Sequence, residues 1–483
     1  MNDVKKAVMT NWRWVMCAML FFATTVNYMD RQVLSLTFKE FIQPEFHWTD
    51  SDYGTITGVF SIAYAIFCLF AGKFIDWMGT KRGYLWAIVI WSLGAIMHAA
   101  CGIATTWFVD GVDSVAALRA VEAGSALAAT ISMVSVWLFL ACRLILGLGE
   151  AGNFPAAIKV TAEYFPKKDR AFATALFNAG ASVGALAAPA TIPLLAKAMG
   201  WEWAFIIIGA LGFIWAGIWI FVYDKPEESA HVNEAELEYI HQDEKDAPKE
   251  EMKEEKQMSF AEAFKHKQTW SFAFGKFMTD GVWWFFLFWA PAYFQDQFGI
   301  KASDPQGIAL IFTLYAIVTV VSLFGGYLPK IFVEKKGMEP YAGRMRAMLI
   351  FAFFPIFALF AQPLGGIYGP WAVEIIIGIV GAAHQSWSAN IFSTTGDMFP
   401  KSAVATITGI GAMAGGVGSF LINKGSGMLF THAEEMGEAF QFMGFSGKPA
   451  GYMIIFCICA VAYLIGWTVM KSLVPKYSPV KVD

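Results

Sequence analysis

Asp30 and Arg31 lie inside the apolar run AMLFFATTVNYMDRQVLSL, and Arg143 and Glu150 lie inside MVSVWLFLACRLILGLGEAGNFP. Both runs are long enough to cross a bilayer, and a charge near the bilayer centre costs roughly 2.5–3.5 kcal/mol on insertion scales. Such residues persist where they face a bundle interior or a wet cavity and find partners there. A chain built around them is expected to enclose a polar pathway between membrane helices.

The rest of the composition agrees. Of 483 residues, 57% are hydrophobic and only 15% charged, where a soluble protein carries about 25% charged residues. The 44 Phe and 19 Trp suit a lipid-facing surface with aromatic belts. The net charge of −4 gives no reason to expect nucleic acid as a partner. The six cysteines form no CxxC pair and read as small hydrophobes. No metal cluster or cofactor motif is visible.

A span needs about 20 apolar residues. The sequence offers twelve, near 13–36, 53–73, 83–103, 132–160, 171–194, 202–223, 269–295, 306–330, 346–365, 369–394, 402–429 and 451–471. The first is long enough to span and is read as a membrane helix, not a removed signal peptide. A charged stretch separates two sets of six. The expected domains are therefore 1–223 and 269–483, with a cytoplasmic loop at 224–268 carrying short surface helices at most. Lys and Arg concentrate in alternate connections, among them Lys5, Lys6, Lys73, Lys81, Arg82, Lys168 and Arg170. The opposite connections hold only Lys39, Arg119, Lys197, Lys301 and Lys448. The positive-inside rule then places both termini in the cytoplasm. The external connection from about 104 to 131 is unusually long, and its ALRAVEAGSALAA part is expected to form a short helix at the membrane surface.

After the second span stands Gly72-x-x-x-Asp76-x-x-Gly79-x-Lys81-Arg82. Glycine permits close helix approach and a tight turn. Asp76 is suited to cap a helix or pair with a cation across a cleft. This pattern resembles the loop motif of the major facilitator superfamily, as do Arg143-xxx-Gly147 and Gly180-xxx-Gly184 with Pro189 and Pro193. Asn27-Tyr28-Met29-Asp30-Arg31, Gly149-Glu150-Ala151-Gly152-Asn153-Phe154-Pro155 and Ala162-Glu163-Tyr164-Phe165-Pro166 are similar to that superfamily's anion:cation symporter family. The run from Glu150 to Pro189, the long external loop and 276–284 look most like its hexuronate transporter branch.

The resemblance implies an all-α integral membrane fold: twelve helices in two pseudo-symmetric six-helix bundles. It puts Asp30 and Glu150 at the positions of proton-carrying acids, and Arg31 and Arg143 at those of the cavity arginines. Helical rise sets Asp30, Arg31 and Arg143 at one level and Glu150 about two turns deeper. On this reading Arg31 holds a substrate carboxylate and Arg143 controls the acids; the alternative is a static ion-pair network that fixes helix packing. Tyr28, Tyr64, Asn178 and Asn27 are polar liners of the first half. Gln385, Trp387 and Asn390, in AAHQSWSANIFS, are read as substrate contacts, with Trp387 stacking on a sugar face. His384 stays open between packing and contact. Lys276 and Asp280, one turn apart, are an intrahelical pair or a substrate or gating pair.

The expected function is proton-coupled import of a sugar acid anion, first a hexuronate, by alternating access. Galactonate, glucarate or another small organic anion is the alternative, as is an exchanger or uniporter. Nothing marks the chain as an enzyme. The expected setting is the bacterial inner membrane, with lipid, protons and substrate as partners, no cofactor, and a monomer.

Overall fold

In a computed structural model, residues 9–242 and 258–480 are described. The expectations for the middle of the central loop and for the extreme termini lie outside them. Twelve long helical stretches follow one another: α1 Trp12–Thr37, α2 Asp50–Met78, α3 Thr80–Ala99, α4 Ala126–Glu150, α5 Lys167–Met199, α6 Trp201–Val222, α7 Lys267–Phe298, α8 Pro305–Lys336, α9 Pro340–Phe353, α10 Pro370–Met398, α11 Lys401–Met436 and α12 Lys448–Leu473. Three have extensions. α3 bends by 59° at Ala100 into Cys101–Phe108. α4 breaks after Glu150 and resumes as Asn153–Tyr164. α9 tightens into a 3-10 turn at Phe354–Phe360 and continues to Tyr368.

Among the described residues, eight helices are long and apolar enough to cross a membrane, or nine with the bent α3 pair. The three that fall short are α1, α7 and α10. They carry Asn27, Asp30 and Arg31; Lys276 and Asp280; and Glu374, His384, Gln385 and Asn390. Polar dilution of a span is what a helix lining a pathway shows.

Packing repeats with an offset of six. α1 packs on α5 as α7 does on α11; α2 on α4 as α8 on α10; α3 on α6 as α9 on α12. The two sets meet mainly along α2–α11 and α5–α8, and α1 touches α7. The α2–α11 seam is close because small residues line it: a Cβ on Gly54 would lie 2.6 Å from the Asn423 carbonyl oxygen.

Contacts between the sets cluster at the end of the bundle far from the chain termini. Lys39 bridges Asp50 at 3.1 Å and Asp296 at 3.0 Å, while Lys448 reaches Asp50 at 2.8 Å and Glu434 at 2.9 Å. Glu40 accepts a 2.7 Å hydrogen bond from the Ser303 hydroxyl. Closer to mid-depth, the Tyr53 hydroxyl donates to the Phe288 carbonyl at 2.7 Å, and Ser419 bonds Ser61 at 3.0 Å. The far end is therefore latched shut.

The long connection after α3 forms a short helix, Val115–Ala120, capped by Ser114. It docks on the short helix Gln43–Phe46: Leu118 is buried, its carbonyl meets His47 Nε2 at 2.9 Å, and Arg119 pairs with buried Glu45. The central connection also has structure. A short helix, Glu234–Ile240, lies under the first half, where buried Glu236 accepts hydrogen bonds from Thr10, from the Trp12 and Arg13 backbone N–H groups and from the Arg13 guanidinium.

Candidate functional site

The charged residues of α1 and α4 converge at mid-bundle. The Arg31 guanidinium donates from Nη2 at 2.9 Å and from Nε at 3.2 Å to one oxygen of Glu150. Both side chains are buried, Glu150 completely. Glu150 is the last residue of α4 before the break at Ala151-Gly152. The neighbouring Gly149 lets α4 lie directly on α3, since a Cβ there would fall 2.3 Å from the Trp91 backbone nitrogen. That contact sets the depth at which the carboxylate enters the core.

Aromatic rings surround the arginine. The guanidinium carbon lies 4.7 Å from the Tyr64 ring centroid and 5.3 Å from those of Tyr28 and Trp284. Guanidinium on aromatic faces is favourable by about 2 kcal/mol where water is excluded. Trp284 comes from α7, so the second half touches the ion pair through a ring. Sequence reasoning passed over Trp284 because it stands in the aromatic run WWFFLFW, where one ring is indistinguishable from its neighbours.

Asp30, Asn27 and Arg143 have few partners. Asp30 is 2% exposed and neither of its oxygens has a hydrogen-bond partner; both ends of the Asn27 amide are likewise unpaired. Arg143 stands with its guanidinium 5.2 Å from the Phe60 ring, and one of its terminal nitrogens is unsatisfied. The arginine that holds Glu150 is thus Arg31, although Arg143 and Glu150 share a face of α4. Asn178 lies exposed on α5.

In the second half, Lys276 pairs with Asp280 at 2.7 Å, and its ammonium lies 4.4 Å from the Phe392 ring centroid. His384 is buried, stacks on Trp283 with centroids 5.4 Å apart, and meets the Tyr463 hydroxyl at 2.7 Å through Nδ1. It packs. Trp387 is fully buried, its ring nearly perpendicular to that of Tyr463 of α12, and its indole nitrogen has no hydrogen-bond partner. Asn390 donates to the Ser386 carbonyl at 2.8 Å and lines a separate recess with Lys330, Glu334 and Arg344. Gln385 is half-buried. Sequence reasoning also passed over Glu374, fully buried near the start of α10 with both oxygens unpaired.

The junction of α2 and α3 places Asp76 2.7 Å from Lys159 on the second segment of α4, and Lys81 2.7 Å from Asp224. Gly79 has φ of +77° at the junction with α3, as a tight turn requires, whereas Gly72 faces open space and so brings no helix close. Arg82 is exposed. A concavity of about 930 Å³ between α2 and α4 is lined mainly by apolar side chains together with His47, Asp52 and Ser132. Neither Arg31 nor Glu150 lines it, so it is not the candidate site.

A buried ion pair at the centre of two repeated six-helix sets is an arrangement for moving a charged solute. The family profile described as Major Facilitator Superfamily matches residues 20–422. The chain belongs to the major facilitator superfamily. It is a membrane transporter and not an enzyme. Among similar proteins, the hexuronate transporter of Escherichia coli strain K12 is 27% identical over 95% of this chain and 94% of its own length. The galacturonate transporter of Dickeya chrysanthemi is 27% identical over 66% of this chain and 82% of its own. The D-galactonate transporter of E. coli O6:H1 is 28% identical over 67% and 68%. Of solved structures, the D-xylose-proton symporter superposes with a TM-score of 0.65 at 14% identity, covering 97% of this chain and 98% of that one. A bacterial homologue of the human lysosomal transporter Spinster gives 0.69 at 18%, covering 97% and 99%.

Proposed function

We propose that this major facilitator protein imports a sugar acid anion, a hexuronate such as galacturonate or glucuronate, together with a proton. The observation that carries the reading is the Arg31–Glu150 pair in its aromatic cage. Arg31 is the cation best placed to receive a substrate carboxylate, and Glu150 already occupies it. A substrate can take Arg31 only if Glu150 lets go, and a released, fully buried carboxylate without a cation is strongly disfavoured. Taking up a proton removes that charge. The exchange links one anion to one proton: protonated Glu150 yields Arg31 to the substrate, and the deprotonated acid reclaims it after release. Asp30, unpaired and close in chain to Arg31, serves as a second proton group. The relatives that transport hexuronates, galacturonate and galactonate support the substrate class.

With both termini in the cytoplasm of a bacterial inner membrane, the latched far end is external, and the conformation is closed to the outside. Coupling also suits the membrane potential. An entering monoanion is opposed by ~2.3 kcal/mol per 100 mV, and one proton cancels that charge. The two six-helix sets act as the rocking bodies of alternating access. The test is calorimetric titration of galacturonate in two buffers of unlike ionisation enthalpy. Uptake of about one proton per substrate bound is the expected result; binding without proton exchange contradicts the exchange at Arg31.

A further inference from the structure

We infer that Asp280 sets the charge class of the substrate: by occupying Lys276 it keeps the pathway selective for a sugar acid with one carboxylate over one with two. The inference rests on the reading of the chain as a sugar acid transporter. Lys276, Asp280 and Trp284 recur every fourth residue on α7 and so lie close to one face of that helix. Trp284 touches the Arg31 guanidinium. Lys276 lies two turns further, about 12 Å along the helix. A six-carbon acid bound through one carboxylate at Arg31 and extended along α7 brings its other end toward Lys276. That end carries an aldehyde or hydroxyl carbon in a monoacid and a second carboxylate in an aldarate.

Lys276 is not available to a second carboxylate in this structure. Its ammonium is 2.7 Å from Asp280 and rests on the Phe392 ring. Asp280 is held in place, because its carboxylate lies against Gly415 of α11, where a Cβ would fall 2.3 Å from Oδ2. Asp280 still keeps 14% of its side chain exposed, so it is not sealed within the helix packing.

The local charges give the same answer. Lys276 and Asp280 sum to zero. The aldehyde or hydroxyl end of a monoanion leaves that sum unchanged. A second carboxylate there is an uncompensated negative charge in a dry site, which is disfavoured. Replacing Asp280 with Asn makes the local sum +1 and frees the ammonium for a second carboxylate.

The experiment is uptake of labelled galacturonate and galactarate by purified protein in proteoliposomes, for wild type, Asp280→Asn and the double variant Asp280→Asn/Lys276→Gln. Wild type is expected to prefer galacturonate, and Asp280→Asn to raise the galactarate to galacturonate ratio at least tenfold. The double variant loses that gain, which assigns it to the Lys276 ammonium. If Asp280→Asn still transports galacturonate and the ratio is unchanged, the pair is only a helix brace and the inference is wrong. A rise in the ratio that persists in the double variant also overturns it. If Asp280→Asn fails to insert or fold, Asp280→Ser and galactarate competition against galacturonate uptake by wild type and Lys276→Gln give the same comparison. Wild type that transports neither acid contradicts the proposed function itself, a result distinct from an unchanged ratio.

Discussion

Arg31 and Glu150 make sense only as a pair. Removing one partner of a buried ion pair destabilises by roughly 3–5 kcal/mol because the other charge is stranded, while removing both often costs little. Arg31→Gln is therefore expected to lower the thermal midpoint in detergent markedly, and Arg31→Gln/Glu150→Gln to recover most of the loss. A coupling energy of at least ~1 kcal/mol in that double-mutant cycle is predicted; additive losses would show that the two side chains do not interact. All four charges of this region were legible in the sequence, because each interrupts an apolar run. Which arginine holds which acid was not. Spacing puts Arg143 and Glu150 on one face of α4, but the reach of Arg31 from α1 and the break after Glu150 decide the pairing.

The helices were easier to read than their partners. The twelve apolar stretches correspond to α1–α12, but α4 and α9 end ten or more residues before the expected limits because each breaks within its span. The break at Ala151-Gly152 was not anticipated, because the apolar pattern runs through it. The α2–α11 seam makes a prediction of its own. Gly54→Val places methyl groups against the Asn423 carbonyl and the Gly427 backbone, so it should pry open the far end. A cysteine introduced at Thr55 is expected to react faster with an impermeant external thiol reagent in the Gly54→Val background than in wild type. An equal rate would mean that the seam does not control that end.

The short Glu234–Ile240 helix carries a pH prediction. Burial alone pushes the Glu236 carboxyl up, but hydrogen bonds from Thr10, from the Arg13 and Trp12 backbone and from the Arg13 guanidinium outweigh it and hold the group below its ordinary 4.5. A depressed folded value means that the stabilisation is complete above pH 4.5 and fades as pH falls through the folded value. Glu236→Gln should thus lower the thermal midpoint at pH 7, by about 1.5–3 kcal/mol of stability. The gap to wild type should narrow as pH falls below 4.5. A gap independent of pH would assign the effect to packing.

For the whole molecule, the central claim is that a sugar acid and a proton cross together by exchange at Arg31. Lys39, Asp50, Asp296 and Lys448 form the far-end latch, which on this account sets the resting state. Lys39→Gln leaves Asp296 with a weaker set of cations, so it is expected to shift the resting population toward the externally open form. External thiol labelling of a cysteine at Ser303 should rise accordingly, and an unchanged rate would remove Lys39 from the latch. The spacing of spans and the charged stretch at 224–268 lead to the expectation of two sets of six, and the packing of α1–α6 recurs in α7–α12. The latch was not legible, because its four charges come from one connection and three helix ends that only the fold brings together.

The most direct test of the central claim is uptake of labelled galacturonate into proteoliposomes, with and without an inward proton gradient, for wild type and Glu150→Gln. The account predicts gradient-driven accumulation by wild type. It predicts that Glu150→Gln loses accumulation but still exchanges external for preloaded substrate, because Arg31 is then permanently free. Wild-type uptake indifferent to the gradient, or accumulation that survives Glu150→Gln, would contradict it.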